Sequence, residues 1–425
     1  MAASRNKIRK LLVANRSEIA IRVFRAATEL GIRTVGVYAR EDRFALHRFK
    51  SDESYEIGHG LDPIAAYLSI EQIMAVAAKA GVDAIHPGYG FLSESPEFAD
   101  ACAEAGIIFI GPTADLLRRL GDKVEARALA VAAGVAVLPA TGPVPRVADE
   151  AAALAEGVGY PIMVKANWGG GGRGMRVVRE ASALAGEVDA ARREARAAFG
   201  KDDVFFEKLV ERARHIEVQI LGDSHGNVCH LYERDCTVQR RHQKIIEAAP
   251  AVGLAEETRQ ALYDSALRLA DHAGYLNAGT VEFLFDVDTG EFYFIEVNPR
   301  IQVEHTVTEV ITGVDLIAAQ IRISEGATLG HADSGVPPQD EIRCNGAAIQ
   351  CRITTEDPEN QFIPDYGRIT AYRGAAGFGV RLDGGTAFSG ALITQHFDSL
   401  LEKVTAWGPT REMAAARMDR ALREF

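Results

Sequence analysis

Cysteine is scarce in this sequence: five cysteines occur in 425 residues, and no two of them form a Cys-x-x-Cys pair. Structural zinc sites normally need clustered cysteine and histidine ligands, so this spacing gives no support for one. An odd number of scattered thiols is also unlike a disulfide framework. The pattern is typical of reduced thiols in a cytoplasmic protein, and we expect a cytoplasmic location.

Long apolar runs are also missing. No run approaches the roughly 18 apolar residues of a transmembrane helix, and the opening MAASRNKIRKLLVANRSE has no apolar segment long enough for a secretory signal. A net charge of −12 disfavours nucleic acid and anionic membrane surfaces as partners, because proteins that bind them carry excess lysine and arginine. Local basic clusters can still bind small anions.

Strands and helices alternate through residue 112, which predicts a parallel α/β sheet with helices on both faces. The first strand is followed by Ala-Asn-Arg-Ser-Glu instead of a Gly-x-Gly-x-x-Gly fingerprint, so a dinucleotide site is disfavoured. Residues 137–210 are predicted to form a small α+β unit, and the chain from 211 onward to form a largely antiparallel sheet. The fold class is therefore α/β joined to α+β.

A run of four glycines, residues 169–172, stands between two predicted strands. Lys165 ends the first strand, and Arg173 follows the glycines. Glycines without Cβ atoms allow several backbone N–H groups to approach an anion. We interpret the loop as a mobile lid over phosphates. The alternative is a surface hairpin without a ligand.

Two acidic residues are predicted to face each other in a β-hairpin. The runs TVEFLFD and EFYFIEVN are joined by VDTG, and a small register adjustment places Glu282 beside Glu296, with Cβ atoms about 5 Å apart. A divalent cation such as Mg²⁺ or Mn²⁺ would remove the repulsion between the two carboxylates. The alternative is that one of them faces solvent or pairs with a lysine.

Strict alternation then continues through residue 304. It would place Glu296, Asn298, Arg300, Gln302 and Glu304 on one polar face of an extended strand. A solvated sheet face could have this pattern. Such a row could also bind a small planar oxyacid, since Arg300 can hold a carboxylate-like anion and Glu304 can accept a proton from it.

Eight motifs in sequence order make the chain resemble the ATP-grasp enzymes, and specifically the biotin carboxylase family, over nearly its whole length. Trp168 and two segments, LHRFKSDESY and FIPDYGRITAYR, are more similar to pyruvate carboxylases than to separate biotin carboxylase subunits. The eight motifs are ANRSEIAIR, AIHPGYGFLSE, GDK, GGGGRGM, RHIEVQ, ERDCTVQRRHQK, FIEVNPRIQVEHTVTE and CRITTED.

This resemblance implies that ATP phosphorylates bicarbonate to carboxyphosphate and that biotin N1′ captures the resulting CO₂. Lys123 and Lys165 would hold the nucleotide phosphates as point charges. The other nucleotide contacts that it implies are Gly170, Gly171, Gly172, Glu207, Lys208, Leu209, His215, Gln239 and His242.

The resemblance also implies a catalytic group of residues. Glu282 and Glu296, with Asn298 beside them, would hold the metal. Arg352 would stabilise negative charge on the ureido oxygen of biotin. Bicarbonate and biotin would further contact Arg300, Gln302, Val303, Lys244, Tyr89 and Glu304, the last of these acting as the base.

The family's organisation implies three subdomains: a pre-ATP-grasp subdomain at 1–122, an ATP-grasp region at 123–325 with a mobile lid at about 137–210, and a truncated antiparallel subdomain at 340–425. No Met-Lys-Met biotinylation motif is present. We therefore expect biotin to arrive on a carrier domain and the carboxyl group to pass to a carboxyltransferase domain. A homo-oligomer is expected, dimeric through this region and tetrameric for a whole pyruvate carboxylase.

Three alternatives remain at this point. The chain could be the biotin carboxylase subunit of an acetyl-CoA or other acyl-CoA carboxylase, with the same site but other partners. It could be another ATP-grasp ligase, such as one that makes carbamoyl phosphate. It could also be an inactive nucleotide-sensing module, although the intact acidic pair, the lysines and Glu304 argue against this.

Overall fold

The computed structural model describes residues 7–166, 175–241 and 243–425. Its N-terminal part is a five-stranded sheet, all parallel, with the order β3-β2-β1-β4-β5. Both faces are buried, since Leu11 packs with one group of core residues and Leu12 with another. The predicted parallel α/β sheet is confirmed. The elements are β1 (Lys10–Val13), α1 (Ser17–Glu29), β2 (Arg33–Tyr38), β3 (Glu53–Glu56), α2 (Pro63–Tyr67), α3 (Ile70–Ala80), β4 (Ala84–His86), α4 (Pro96–Glu104), β5 (Ile108–Phe109) and α5 (Ala114–Gly121).

A small antiparallel sheet follows, with the order β7-β6-β8. Its strands pack through Ile162, Val164 and Phe206 against two helices. The strands predicted on either side of the glycine run do pair, while residues 167–174 between them lie outside the described ranges. The elements are α6 (Lys123–Ala132), α7 (Ala148–Val158), β6 (Ile162–Ala166), β7 (Arg176–Val178), α8 (Leu184–Phe199) and β8 (Val204–Lys208).

The remaining chain builds an eight-stranded antiparallel sheet in the order β13-β12-β9-β10-β11-β14-β20-β18. Because β11 pairs with β14, this sheet continues across the boundary proposed at 325–340. Its elements are β9 (Ala213–Gly222), β10 (Val228–Arg240), β11 (Gln243–Ala249), α9 (Glu256–Ala273), β12 (Asn277–Asp286), β13 (Phe292–Asn298), α10 (His305–Thr312), α11 (Leu316–Ser324), β14 (Ala347–Thr354), β15 (Glu356–Asp357), β16 (Ile363–Pro364), β17 (Gly367–Arg368), β18 (Val380–Gly384), β19 (Leu392–Ile393), β20 (Leu400–Gly408) and α12 (Arg411–Glu424).

Strand β9 shows how this sheet positions polar groups in the interior. Ile216, Val218 and Ile220 face α9 and join its apolar core. The alternating Glu217 and Gln219 point to the other face, yet both are fully buried. Buried carboxylates need partners, so this second face must supply charges and hydrogen bonds of its own.

The structure confirms one detail of the predicted hairpin and corrects another. The register places Glu282 directly opposite Glu296, and a β-bulge between Glu282 and Phe283 supplies the adjustment. The alternation predicted through residue 304 is wrong, because β13 ends at Asn298. Proline at 299 cannot donate to a ladder, and the chain turns there toward α10.

No helix in the described ranges combines the length and the apolar character that a membrane crossing needs.

Candidate active site

Four neighbouring strands place charged residues side by side. Glu296, Glu282, Glu217 and Arg234 are successive cross-strand partners on β13, β12, β9 and β10. Three carboxylates in one row repel one another unless cations lie among them. This row is the centre of the candidate site.

The outer end of the row fits a divalent cation. Glu282 and Glu296 oppose each other, and the amide of Asn298 lies 2.8 Å from Glu282 Oε1 and 3.5 Å from Glu296 Oε1. Burial and the neighbouring charge of Glu282 raise the pKa of Glu296. Two opposed carboxylates, that of Glu282 buried and that of Glu296 half-buried, offer the oxygen ligands that Mg²⁺ or Mn²⁺ prefers.

Lys244 neutralises the centre of the row. Its Nζ, on β11, donates to Glu217 at 2.6 Å, to Glu282 at 2.8 Å and to Glu304 at 2.7 Å. Burial alone would lower the pKa of Lys244, but these carboxylates outweigh burial and hold the pKa well above its usual value. The ammonium therefore uses its three donors on three acids.

Glu304 is buried where α10 begins, with 2% of its surface exposed. Besides Lys244 it accepts a bond from Arg352 Nη2 at 3.1 Å. Burial would raise the pKa of Glu304, but the Lys244 ammonium outweighs burial and the pKa lies below its usual value. The carboxylate is ionised, as a general base must be. Its burial also excludes the alternative of a solvated sheet face.

Arg352, on β14, links this base to a second acid. Its Nε donates to Glu247 Oε1 at 2.7 Å, while Gln350 donates to the other oxygen of the same carboxylate at 2.9 Å. One edge of the guanidinium is thus fixed on Glu247, which the sequence reasoning missed. The arrangement holds a positive charge beside Glu304.

Arg300 is held at the rim of the site. Its Nε donates to Glu94 at 2.5 Å and its Nη2 donates to Asn298 Oδ1 at 2.9 Å. Glu94 comes from the HPGYGFLSE segment, which begins at the last residue of β4 and continues as a turn, and it was not among the predicted site residues. Gln302 is buried, and its amide nitrogen donates to Glu282 Oε1 at 2.8 Å.

His215 lies beside the same acids, with Nε2 at 2.9 Å from Glu282 Oε2. Burial would lower the pKa of His215, but Glu217 and Glu282 outweigh burial and raise the pKa to about 9. The imidazole is therefore a cation at neutral pH. Gln239 lies 3.3 Å from His215 Nδ1, so these two predicted residues meet.

Tyr89 reaches the site through a buried ion pair. Its hydroxyl donates to Glu18, whose other oxygen lies 2.9 Å from Lys403 Nζ. Lys403 also donates to the carbonyl of Val303 at 3.1 Å. Tyr89 and Val303 are thus tied to one lysine.

A second group of predicted residues lies on the small sheet. Lys165 forms an ion pair with Glu207 across β6 and β8. Lys208 donates to the carbonyls of Gly159 and Tyr160 at 2.8 and 3.0 Å, so it fixes backbone. The structure shows these contacts within the small sheet and none to Glu304. Leu209 donates its N–H to Pro161 O at 3.1 Å.

Lys123 is the first residue of α6, and its charge lowers the pKa of Glu296, opposing burial and Glu282. It therefore lies within electrostatic reach of the acidic pair. Four other predicted contacts, Gly170, Gly171, Gly172 and His242, lie outside the described residues.

Three family models match consecutive parts of the chain. They are the biotin carboxylase N-terminal domain at residues 7–117, the ATP-binding domain of the carbamoyl-phosphate synthase L chain at 122–332 and the biotin carboxylase C-terminal domain at 350–425. The biotin carboxylase of Campylobacter jejuni is 43% identical, with a TM-score of 0.91, over 99% of this chain and 92% of that one. This chain belongs to the biotin carboxylase family.

Other biotin carboxylases share the fold and the sequence. That of the Hydrogenobacter thermophilus 2-oxoglutarate carboxylase, a domain dimer in complex with MgADP, ADP and bicarbonate, is 45% identical with a TM-score of 0.90 over 98% of this chain and 90% of its own. Pyruvate carboxylase of Rhizobium etli is 65% identical with a TM-score of 0.92, over 98% of this chain and 37% of that one. Bacillus subtilis pyruvate carboxylase is 54% identical over 99% of this chain and 37% of its length. The chain thus spans little more than a third of the pyruvate carboxylases that it matches.

Proposed function

We propose that this chain carries out the ATP-dependent carboxylation of biotin by bicarbonate, through carboxyphosphate, as the biotin carboxylase part of a pyruvate carboxylase. The observation that carries the proposal is the state of Glu304. It is a buried carboxylate, kept ionised by Lys244 and Arg352, beside a pair of acids that suits a metal. Membership of the biotin carboxylase family supports the same reaction.

In this proposal the acidic pair holds Mg²⁺ or Mn²⁺. Glu282 and Glu296 would be the ligands, with Asn298 close by. The bound metal would supply positive charge to the phosphates of ATP. Lys244 and His215, which contact Glu282 in the structure, would limit the repulsion among the acids around it.

Bicarbonate would bind next to Glu304. Arg300 offers a planar guanidinium to an oxyanion, and Gln302 and Val303 would complete the contacts. Glu304 would take the proton from bicarbonate, since a base must lie within hydrogen-bond reach of the proton that it removes. Lys244 would keep the base ionised before that step.

Biotin would bind on the Arg352 side of Glu304, opposite the position proposed for bicarbonate. Arg352, fixed by Glu247, would stabilise negative charge on the ureido oxygen. Tyr89, held by Glu18, would contact the ring. Biotin would come on a carrier domain elsewhere in the polypeptide.

ATP would lie between the small sheet and the acidic row. The glycine loop would close over the phosphates as a lid, and the subdomains would span residues 1–122, 123–325 and 340–425. The nucleotide contacts would be Lys123, Lys165, Gly170, Gly171, Gly172, Glu207, Lys208, Leu209, His215, Gln239 and His242.

The whole enzyme would pass the carboxyl group to pyruvate on a carboxyltransferase domain and assemble as a tetramer, with dimer contacts in this region. The Bacillus subtilis and Rhizobium etli relatives described above are pyruvate carboxylases, so the acyl-CoA carboxylase alternative is not favoured. A cytoplasmic location belongs to the same proposal. A pyruvate carboxylase from rat, 57% identical over 98% of this chain, is named as mitochondrial.

The test is ATP hydrolysis by the 425-residue chain. We expect hydrolysis that requires both bicarbonate and Mg²⁺ and that rises when free biotin is added. A well-folded chain that hydrolyses ATP equally with and without bicarbonate would contradict the proposal. The acceptor is tested separately, by supplying the full-length polypeptide with pyruvate or with an acyl-CoA.

A further inference from the structure

Arg234 lies beneath the candidate site and is completely buried, with no exposed surface. It stands on β10 as the direct cross-strand partner of Glu217. A buried guanidinium is costly unless all its donors are bonded. Its five N–H groups all reach side-chain oxygens. The acceptors are Glu217 at 2.5 Å, Gln219 at 2.8 Å, Thr308 at 3.0 Å, Thr280 at 3.0 Å and Gln302 at 2.8 Å.

These bonds determine which atom of Gln302 faces the site. A guanidinium only donates, so the Gln302 atom beside Arg234 must be the amide oxygen. The amide nitrogen is then turned toward the acidic pair, where it donates to Glu282 at 2.8 Å. A rotated amide would place two donors against Arg234 and an oxygen against a carboxylate.

Glu217 is oriented in the same way. Arg234 occupies its Oε1, which leaves Oε2 to accept the bond from Lys244 at 2.6 Å. Lys244 is the group that also contacts Glu304. One buried cation therefore acts on both the anion-binding amide and the lysine beside the base.

We propose that Arg234 is a positioning residue for bicarbonate: it fixes the Gln302 amide with its N–H₂ group toward the site and fixes Glu217 on Lys244. Arg234 itself touches no substrate. The inference rests on the proposed function, in which Gln302 contacts bicarbonate. If Arg234 only filled the core, its loss would lower stability without changing the affinity for bicarbonate.

The first variant is Arg234→Lys, which keeps the charge but has one nitrogen and three donors in place of five. The Gln302 amide is then free to rotate. We expect the KM for bicarbonate in ATP hydrolysis to rise by about tenfold, as for the loss of one bond to a charged group, while the KM for ATP changes less than about twofold.

Arg259→Lys is the matched control. Arg259 forms an ion pair with Glu233, the residue before Arg234 on β10, and donates a hydrogen bond to the carbonyl of Ala251, outside the site. Losing these contacts should lower Tm and leave the bicarbonate KM unchanged.

If Arg234→Lys does not fold, Thr308→Val tests the positioning role of Arg234. It removes one acceptor of Arg234 with almost no change of shape, and the bicarbonate KM should rise by about threefold. Thr34→Val, which loses a bond to Asp52 in the N-terminal sheet, should not change it. Unchanged bicarbonate KM values in the folded Arg234 and Thr308 variants would overturn this inference and leave the proposed function standing. Wild-type hydrolysis indifferent to bicarbonate would instead reject the proposed function and this inference with it.

Discussion

At the scale of single residues, the site is a balance of buried charges. Lys244 donates to three carboxylates, Arg352 donates to two, and His215 is a cation beside Glu282. Lys244 and Arg352 keep Glu304 ionised in spite of its burial, because their charges lower its pKa. A carboxylate in this state can accept a proton at neutral pH, which is the property that the proposed reaction needs.

Glu304→Gln tests the base. The amide keeps the size of the side chain but cannot accept the proton, so we expect bicarbonate-dependent ATP hydrolysis to fall by about a hundredfold or more. Binding of MgATP, measured by calorimetry, should change little. Glu402→Gln is the matched control: Glu402 is also buried, on β20, and its replacement should leave turnover intact. Equal activity of the two variants would remove Glu304 from the mechanism.

Glu402 gives a pH prediction of its own, because burial raises its pKa to about 7. The ordinary value is 4.5, so between these pH values the native chain holds a proton that the unfolded chain has released. The stability that this group contributes is complete below pH 4.5 and is lost as the pH rises through 7. Glu402→Gln should therefore raise Tm relative to wild type at pH 8 but not at pH 4.5. A Tm difference that does not depend on pH would refute this account.

At the scale of elements, the β12–β13 hairpin carries the acidic pair. The sequence was sufficient to predict this hairpin and the closeness of Glu282 and Glu296, because alternation and turn residues are local signals. It could not locate the β-bulge that completes the register, or the end of β13 at Asn298. Gln302 and Glu304 still face the site, but they do so from a turn and a helix start. The pairing of Lys244 with three acids depends on strands far apart in sequence, which local patterns do not specify.

Gly279→Ala tests how closely β12 is packed. A Cβ at Gly279 would lie 1.9 Å from the hydroxyl oxygen of Tyr275 and 2.3 Å from its ring. Either the ring or the strand must move, so we expect the free energy of unfolding to fall by about 1–3 kcal/mol. The control is Gly121→Ala at the end of α5, where a Cβ meets nothing within 4 Å. Urea denaturation of both variants measures the difference, and equal stabilities would contradict the close packing.

At the scale of the whole molecule, a buried ion pair joins the first and last parts of the chain. Glu18 on α1 lies 2.9 Å from Lys403 on β20, and Lys403 is completely buried. Burial raises the pKa of Glu18 in spite of the Lys403 charge, so the pair does not fully offset its own desolvation. The family resemblance could predict the overall fold and the proposed site, whereas a contact across 385 residues is visible only in the structure.

Lys403→Met tests this pair. Removing the cation leaves Glu18 buried without its partner, and we expect a loss of about 3–5 kcal/mol in the free energy of unfolding. In the double variant Glu18→Leu with Lys403→Met neither charge remains, so most of that loss should be recovered. A double variant as unstable as the sum of the two single variants would show that the two residues act independently.

In the function proposed above, this chain carboxylates biotin. The most direct measurement is the transfer of isotope from labelled bicarbonate to free biotin by the purified chain. We expect labelled biotin that forms only with ATP and Mg²⁺ and that is lost in Glu304→Gln. A folded chain that binds MgATP but leaves biotin unlabelled, with ATP hydrolysis the same in the presence and absence of bicarbonate, would contradict it.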